Sequence, residues 1–214
     1  MKVLLALGAA LLLSAEPTSL FDGKTLTGWT TPTGKPITTG WEVQDGTIHR
    51  SARGGDIVSE KEYTSFDLSF EWKVASGVNS GLKYHYGKYG QKMIGIEYQL
   101  IDATLKGDNV GKHSVGSIYD LFAADPKVLP KPAGEWNTSR IIVNGKKITH
   151  YLNGKITAKA TQGSDEWKAA LAKSKFNDAE DFGTKPGKIL LQDHGGEVWF
   201  RNLKLTELTP KESQ

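Results

Sequence analysis

A strict alternation of apolar and polar residues over positions 66–74 constrains the fold of this chain more than any other feature. The apolar positions are Phe66, Leu68, Phe70, Trp72 and Val74, and every position between them is polar. Successive side chains of a β-strand point to opposite faces. The pattern therefore predicts a strand that buries one face in a core and exposes the other to water.

Turn sequences recur between other strand-like segments. Asp45-Gly46, Asn144-Gly145 and Asn153-Gly154 each separate two such segments, and dipeptides of this kind are typical of tight β-hairpins. Further strands are predicted at residues 80–86, 95–101, 117–122, 188–192 and 198–205. Two stacked antiparallel sheets are the simplest way to bury so many apolar faces. The predicted fold class is all-β, a jelly-roll β-sandwich.

The phase of the last strand changes along its length. Val198 and Phe200 share one phase of the alternation, whereas Leu203 and Leu205 share the other. A β-bulge near Arg201-Asn202 would bring both pairs to one face, because a bulge inserts an extra residue into the strand.

One short peripheral helix is predicted after residue 164. Ser164 is a suitable N-cap, and Asp165 and Glu166 follow in the first turn, where the helix dipole favours negative charge. Trp167 and Leu171 lie on one stripe of this helix. We expect that stripe to pack against the outside of the sandwich.

The first fifteen residues have the pattern of a secretory signal peptide. Lys2 precedes an apolar run over residues 3–13, and Ser14-Ala15 supplies small residues for cleavage near Ala15. This run is shorter than the roughly 20 residues of a membrane span. The alternative interpretation is a buried N-terminal helix. We expect a secreted or periplasmic bacterial protein, with residues 16–214 forming a single mature domain that has no membrane attachment.

Charge and cysteine content exclude several classes of function. The net charge is +3, and the basic residues are scattered rather than clustered, which argues against a nucleic-acid partner. The chain contains no cysteine, so disulfides, thiolate zinc sites and thiol nucleophiles are excluded.

Alternation predicts a polar cleft on the outer face of one sheet. If Leu82 and Tyr84 point inward, their neighbours Lys83 and His85 point outward. The same argument brings four more side chains to that face, namely Glu97, Gln99, Gln192 and His194. Among the other histidines, His113 is expected near the cleft, and His150 is expected on an exposed hairpin face.

The same residues also have an ordinary structural interpretation. A lysine or glutamate on a wet strand face is usually only solvated, and His194 would serve equally as a hydrogen-bonding turn residue. Aromatic side chains such as Trp136 and Tyr119 are more often core residues than sugar-stacking platforms. The sequence has no nucleophile elbow, phosphate-binding loop or zinc-protease helix, and it lacks the Glu-x-Asp-x-Glu cluster of sandwich-fold glucanases.

Seven short motifs, in order, resemble those of the 3-keto-disaccharide hydrolase domain family. They are Phe21-Asp22-Gly23-Lys24 with Gly28-Trp29, Asn79-Ser80-Gly81-Leu82-Lys83-Tyr84, Glu97-Tyr98-Gln99-Leu100-Ile101-Asp102, Gly116-Ser117-Ile118-Tyr119-Asp120-Leu121, Gly134-Glu135-Trp136-Asn137, Leu191-Gln192-Asp193-His194-Gly195 and Phe200-Arg201-Asn202-Leu203. The resemblance covers residues 19–208. It implies a concanavalin A-like sandwich, export in bacteria, and action on glycosides whose C3 hydroxyl a partner sugar oxidoreductase has oxidised to a ketone.

That substrate implies an unusual route to glycoside cleavage. A C3 ketone acidifies the C2 proton, so a general base can form an enolate that expels the glycosidic oxygen from C1, and water then adds back. At the matching positions, His194 or Glu97 would be the base, and Lys83 would stabilise the enolate oxygen. A divalent cation held by Glu97 and His194 is the alternative to Lys83.

The remaining candidate residues would bind the sugar. Gln99 and Asp120 would hold its hydroxyl groups, together with Tyr119 and Gln192, and Trp136 would form a stacking wall. A noncatalytic, lectin-like carbohydrate-binding sandwich would use such a cleft as well, because fold does not imply function. A conventional glycosidase is the third possibility, and the missing carboxylate motif argues against it.

Overall fold

The computed structural model describes residues 16–105, 109–179 and 181–209. Its strands are β1 (Thr18–Ser19), β2 (Trp29–Thr30), β3 (Trp41–Gln44), β4 (Thr47–Arg50), β5 (Ile57–Tyr63), β6 (Phe66–Val74), β7 (Asn79–Tyr89), β8 (Lys92–Ile101), β9 (Asn137–Asn144), β10 (Lys147–Leu152), β11 (Lys155–Thr161), β12 (Gly187–Leu191) and β13 (Val198–Glu207). The helices are a 3-10 turn (Gly111–His113) and α1 (Asp165–Ala172).

Two antiparallel sheets stack on each other. The larger sheet has the strand order β11-β10-β9-β6-β13-β4-β3, with β1 added to β13, and the smaller has the order β2-β5-β12-β7-β8. This arrangement confirms the predicted all-β, concanavalin A-like or jelly-roll sandwich with one short peripheral helix among the described residues. Its core lies between the two inner faces.

Strand β6 supplies the centre of the larger sheet. Its positions alternate between buried and partly exposed along the whole strand, as the sequence predicts. Phe66 meets Tyr84 of the opposite sheet edge-on, at 5.9 Å between ring centroids, and Phe70 meets Tyr98 in the same way at 5.7 Å. Burial of each such ring contributes about 1.5–3 kcal/mol. The two sheets are thereby fixed face to face.

The predicted turns and bulge are confirmed. Strands β3–β4, β9–β10 and β10–β11 pair as hairpins around the three dipeptides. In β13 the register shifts between Arg201 and Lys204, and Asn202 takes a positive φ of 53°. Residues 117–122 do not form the predicted strand, because their backbone folds into turns closed by single bridges at Ile118.

Helix α1 forms as predicted. The Ser164 hydroxyl accepts a hydrogen bond from the Trp167 amide at 3.2 Å, which caps the helix. Trp167 and Leu171 are its buried residues, and the Trp167 ring stacks on Phe122 with centroids 5.9 Å apart. The chain that leaves this helix runs into the candidate site described below.

Two histidines lie elsewhere than predicted. His85 does not face the outer cleft, because a register shift between Tyr84 and Gly87 and a φ of 49° turn its side chain inward. There its ring nitrogens lie 2.6 Å and 2.8 Å from the carbonyl oxygens of Gly183 and Thr64. His150 is fully buried rather than exposed, because it has the inward phase of its strand.

His150 belongs to a buried polar network in the core. Its Nδ1 lies 3.2 Å from the Gly116 carbonyl, which can only accept, so Nδ1 donates and Nε2 accepts from the Tyr84 hydroxyl at 2.9 Å. Burial disfavours the imidazolium and lowers the pKa of His150 to about 4 from 6.5. The folded protein therefore holds this ring neutral.

Replacing His150 with glutamine is expected to make stability less sensitive to acid. The unfolded chain binds a proton near pH 6.5 and the folded chain does not until about pH 4, so stabilisation is lost as pH falls through that window. The wild-type free energy of unfolding should fall by about 3 kcal/mol more than that of His150→Gln between pH 7 and pH 4, measured by urea unfolding. Equal losses in both proteins would contradict this account.

Among the described residues, no helix is both long enough and apolar enough to cross a lipid bilayer. The predicted signal peptide, residues 1–15, lies outside the described part of the chain.

Candidate active site

Strands β7 and β8 form the floor of a polar cleft on the outer face of the smaller sheet. Their register places Lys83 opposite Glu97 and Gly81 opposite Gln99. Leu82 and the other inward residues of these strands are buried in the core, so pleating turns the polar partners outward. The structure thus brings together three residues that the alternation predicts for one face.

Glu97 is a nearly buried carboxylate at the centre of this floor. The residue is 4% exposed, and its Oε2 lies 3.7 Å from the Lys83 ammonium nitrogen. With its amide nitrogen turned toward the carboxylate, Gln99 donates a hydrogen bond to Glu97 Oε1 at 3.1 Å. Both carboxylate oxygens therefore have polar partners, and Glu97 holds Lys83 in place.

The charge of Glu97 is costly to bury. Burial raises the pKa of Glu97, and the nearby Lys83, Lys175 and His194 side chains partly offset this rise. All three of these side chains therefore lie within electrostatic range of the Glu97 carboxylate, and they surround the cleft.

Gly81 provides the space that Glu97 occupies. A Cβ atom added at Gly81 would lie 2.6 Å from Glu97 Oε1 and 3.0 Å from the carboxyl carbon, which is too close for atoms not bonded to each other. The absence of a side chain at this position thus permits the buried position of the carboxylate.

Gly81→Ala is expected to lower activity by at least about tenfold, because displacement of Glu97 disturbs Lys83, and a 1 Å misplacement in an active site has such consequences. Gly87→Ala is the matched control in the same strand, since a Cβ there meets nothing within 4 Å. The measurement is kcat/KM of both variants toward the substrate proposed below. Equal activities would show that the position of Glu97 is unimportant.

The loop containing Tyr119 and Asp120 forms one wall of the cleft. The Tyr119 amide donates a hydrogen bond to the Glu97 carbonyl at 3.0 Å, so this loop is attached to the floor strand. The Tyr119 ring stacks on His113 with centroids 4.7 Å apart, and His113 Nε2 lies 3.3 Å from an Asp120 carboxylate oxygen. His113 therefore neighbours the cleft, as predicted.

Lys175 is a cleft residue that sequence reasoning missed. It follows α1, and its amide donates a hydrogen bond to Asp120 Oδ2 at 2.7 Å. Its ammonium nitrogen lies 4.2 Å from the centroid of the Tyr119 ring. Partial burial of this ammonium, together with the like charge of Lys83, lowers the pKa of Lys175, although Glu97 and Asp120 oppose the change. The tight turn after a helix gives no pattern from which this placement could be predicted.

The turn after β12 presents His194 at the mouth of the cleft. Asp193, the residue before it, accepts hydrogen bonds from Arg50 Nε at 2.7 Å and from the Gly54 and Gly55 amides at 2.8 Å. His194 itself is exposed. A rigid, buried ion pair thus holds the turn that carries an accessible imidazole.

Asp56 is the second residue that sequence reasoning missed. Its Oδ1 accepts a hydrogen bond from the Asp193 amide at 2.9 Å. Burial raises the pKa of Asp56, and the Asp193 amide, Lys83 and His194 act in the opposite direction. The carboxylate therefore faces the same cationic cleft from the side of β5.

Gln192 lies beside the floor, as predicted. Its backbone amide donates a hydrogen bond to the Gly81 carbonyl at 3.0 Å. Its side-chain Oε1 is buried and makes no hydrogen bond to any of the described residues. A buried acceptor of this kind can be satisfied by a hydroxyl group of a bound molecule.

Trp136 does not reach this cleft, so the prediction that it forms a stacking wall there is wrong. It packs on the outer face of the larger sheet, where the Arg201 guanidinium lies 4.0 Å from its ring centroid and the Lys73 ammonium 5.2 Å. The motif containing Trp136 immediately precedes β9, and that strand belongs to the other sheet. The motif that contains Trp136 therefore lies far from the cleft, although it belongs to the same series of motifs.

The donor set does not fit the divalent cation considered above. No group of three or more histidine, aspartate or glutamate side chains comes together with metal-binding geometry in the described ranges. Glu97 instead has the Lys83 and Lys175 ammonium groups within electrostatic range, and these would repel a metal cation. Hard divalent cations require several oxygen ligands, so we derive no step through a metal.

Comparison with known proteins shows which proteins this chain is similar to. The chain is 30% identical to the 3-keto-disaccharide hydrolase of Bacteroides thetaiotaomicron, over 89% of this chain and 78% of that protein. A crystal structure of a Parabacteroides distasonis protein assigned as a glycosyl hydrolase superposes with a TM-score of 0.81 at 32% identity, covering 91% of this chain and 94% of that one. The carbohydrate-binding module CBM66 of Bacillus subtilis, with 15% identity and a TM-score of 0.55 over 85% of this chain and 96% of that module, shares the fold alone.

A family model describes the same relationship over almost the entire described chain. The 3-keto-alpha-glucoside-1,2-lyase-like domain model matches residues 16–206. This range contains both sheets, except for the last residue of β13, and every cleft residue named above. The protein therefore belongs to the family of 3-keto-alpha-glucoside-1,2-lyase-like domains.

Proposed function

We propose that this protein cleaves 3-keto-glycosides, including 3-keto-disaccharides, in the cleft formed by β7 and β8. The observation that carries the proposal is the Lys83 ammonium, held 3.7 Å from a nearly buried Glu97 carboxylate on a rigid sheet. A cation fixed in this way suits the charge that develops on the oxygen of an enolate. The family and the Bacteroides relative support the substrate class.

The reaction begins with removal of the C2 proton. The C2–H electron pair forms the enolate, and the negative charge on the C3 oxygen is stabilised by Lys83. Collapse of the enolate restores the ketone, forms a C1–C2 double bond and expels the glycosidic oxygen from C1. Water then adds to C1, and C2 regains a proton, so the net reaction is hydrolysis.

Between the two candidate bases, the geometry favours His194. A base must reach the proton that it abstracts. His194 is exposed at the mouth of the cleft, whereas Glu97 is 4% exposed and both of its oxygens have polar partners. In this mechanism Glu97 positions Lys83 and supplies its countercharge. Gln99, Gln192, Asp120 and Tyr119 surround the sugar.

Export and supply of the substrate belong to the same proposal. Residues 1–15 direct the chain out of the cytoplasm, and residues 16–214 act as one mature domain. A sugar oxidoreductase that oxidises a C3 hydroxyl must produce the substrate, because a C2 proton is acidic only beside a ketone. Neither nucleic acid nor a membrane has a part in this function.

The test is incubation of the purified protein with a 3-keto-disaccharide and, separately, with the unoxidised parent disaccharide, followed by mass spectrometry of the products. We expect cleavage of the keto-sugar alone, and the same rate with a metal chelator present. Cleavage of the parent at a similar rate would indicate a conventional glycosidase. Binding of either sugar without cleavage would support a lectin-like module instead.

A further inference from the structure

Expulsion of the second sugar from C1, through its hydroxyl oxygen, requires a third group besides a base and an enolate stabiliser. An alkoxide is a poor leaving group, so the glycosidic oxygen must receive a proton as its bond to C1 breaks. The roles of His194, Lys83 and Glu97 leave this requirement unfilled. A candidate must lie on the wall of the cleft, carry a proton, and be free to give it up.

Lys175 occupies such a position. It enters from the loop after α1, above the floor strands, with its ammonium 4.2 Å from the centroid of the Tyr119 ring. Its charge is within electrostatic range of Glu97, Lys83 and Asp120, so it faces the same space as the floor residues. Lys175 and Tyr119 therefore form a wall beside the floor strands.

The two lysines of the cleft differ in their partners. Lys83 pairs with Glu97 at 3.7 Å, whereas Lys175 makes no ion pair within 4 Å to any carboxylate in the described part of the chain. A lysine held by a carboxylate is well placed to stabilise an oxyanion. Lys175 releases its proton more readily, because partial burial and, after it, the like charge of Lys83 lower its pKa.

We propose that Lys175 is the general acid of this reaction, which donates its ammonium proton to the departing glycosidic oxygen. The inference rests on the proposed function. As the C1–O bond breaks, its electron pair stays on oxygen, which takes the proton from Lys175 and leaves as an alcohol. In the hydration step the neutral amine accepts a proton from the water that attacks C1, while protonated His194 returns a proton to C2. Both side chains end in their starting states.

The experiment compares two leaving groups in Lys175→Met and in the wild-type protein. The leaving group of a 3-keto-disaccharide is a sugar hydroxyl group, which needs the proton. The leaving group of p-nitrophenyl 3-keto-glucoside is a stabilised phenolate, which does not. We expect kcat for the disaccharide to fall by about 100-fold. The rate for the p-nitrophenyl substrate should stay within about threefold, because a group that acts only on the departing oxygen has little effect on a good leaving group.

Lys173→Met is the matched control, since Lys173 is an exposed lysine two residues away. It should leave both rates unchanged. Equal losses for the two substrates in Lys175→Met would overturn the proposal, because that result indicates a structural or enolate-stabilising role. Unchanged rates for both would overturn it as well. Failure of the wild-type protein to cleave either substrate would instead refute the proposed function.

Discussion

His194→Ala is expected to lower kcat toward a 3-keto-disaccharide by about 10³-fold, because the variant lacks the base that removes the C2 proton. His194 is exposed, so the variant should fold normally and still bind the sugar. Added imidazole should restore part of the lost rate, since a small base can diffuse to a site that opens to solvent. The measurement is kcat with and without imidazole, alongside the circular dichroism of both proteins.

Glu97→Gln provides the comparison for this prediction. Its activity should fall as well, because Lys83 loses its countercharge, but imidazole should not restore it. At neutral pH its stability should equal or exceed that of the wild-type protein, since burial already disfavours the Glu97 carboxylate. If His194→Ala remained active while Glu97→Gln were inactive, Glu97 would be the base and the assignment made here would be wrong.

Among the substitutions proposed here, Asp193→Ala is expected to cause the largest loss of stability, about 3–5 kcal/mol in the free energy of unfolding. The Arg50 and Asp193 side chains are 9% and 4% exposed, so the variant leaves an uncompensated guanidinium in a buried place. It also removes the acceptor of the Gly54 and Gly55 amides. Urea unfolding measures the change.

An exposed ion pair gives the matched control. Asp67→Ala removes a carboxylate that pairs with Arg140, whose side chain is 48% exposed, and should cost less than about 1 kcal/mol. A similar loss in the two variants would contradict the role assigned to Asp193.

The contribution of Asp193 also depends on pH. Burial opposes its ionisation, but the hydrogen bonds from Gly54, Gly55 and Arg50 outweigh burial and lower the pKa of Asp193 below 3.8. A carboxylate with a lowered folded-state pKa stabilises the protein above the unfolded pKa and loses that effect as pH falls through the folded value. The difference between wild type and Asp193→Ala should therefore be full at pH 6 and shrink below about pH 4.

The fold follows from local patterns in the sequence. The alternation around Phe70 predicts its strand, and positive-φ dipeptides such as Asp45-Gly46 predict the hairpins, because both depend on neighbouring residues alone. His85 shows where this logic stops. A bulge inside β7 changes the phase of the strand, and nothing in the residues around it signals the change.

The site could be predicted only in part. Lys83, Glu97 and Gln99 follow from strand phase and register, whereas Lys175 and Asp56 reach the cleft from loops whose paths depend on the packing of distant segments. Trp136 was assigned to the wrong face for the same reason, because the sequence does not indicate which of the two sheets receives β9. Side chains on loops are positioned by tertiary contacts, and these leave no period in the sequence.

The most direct test of the mechanism is cleavage of a 3-keto-disaccharide in D2O. Because His194 is exposed, the proton that it takes from C2 exchanges with solvent before C2 is protonated again. We predict one deuterium at C2 of the released 3-keto-sugar, in excess of the exchange seen when that sugar is incubated alone. A product that keeps hydrogen at C2 would show that the glycosidic bond breaks without C2 proton abstraction, and it would contradict the proposed mechanism.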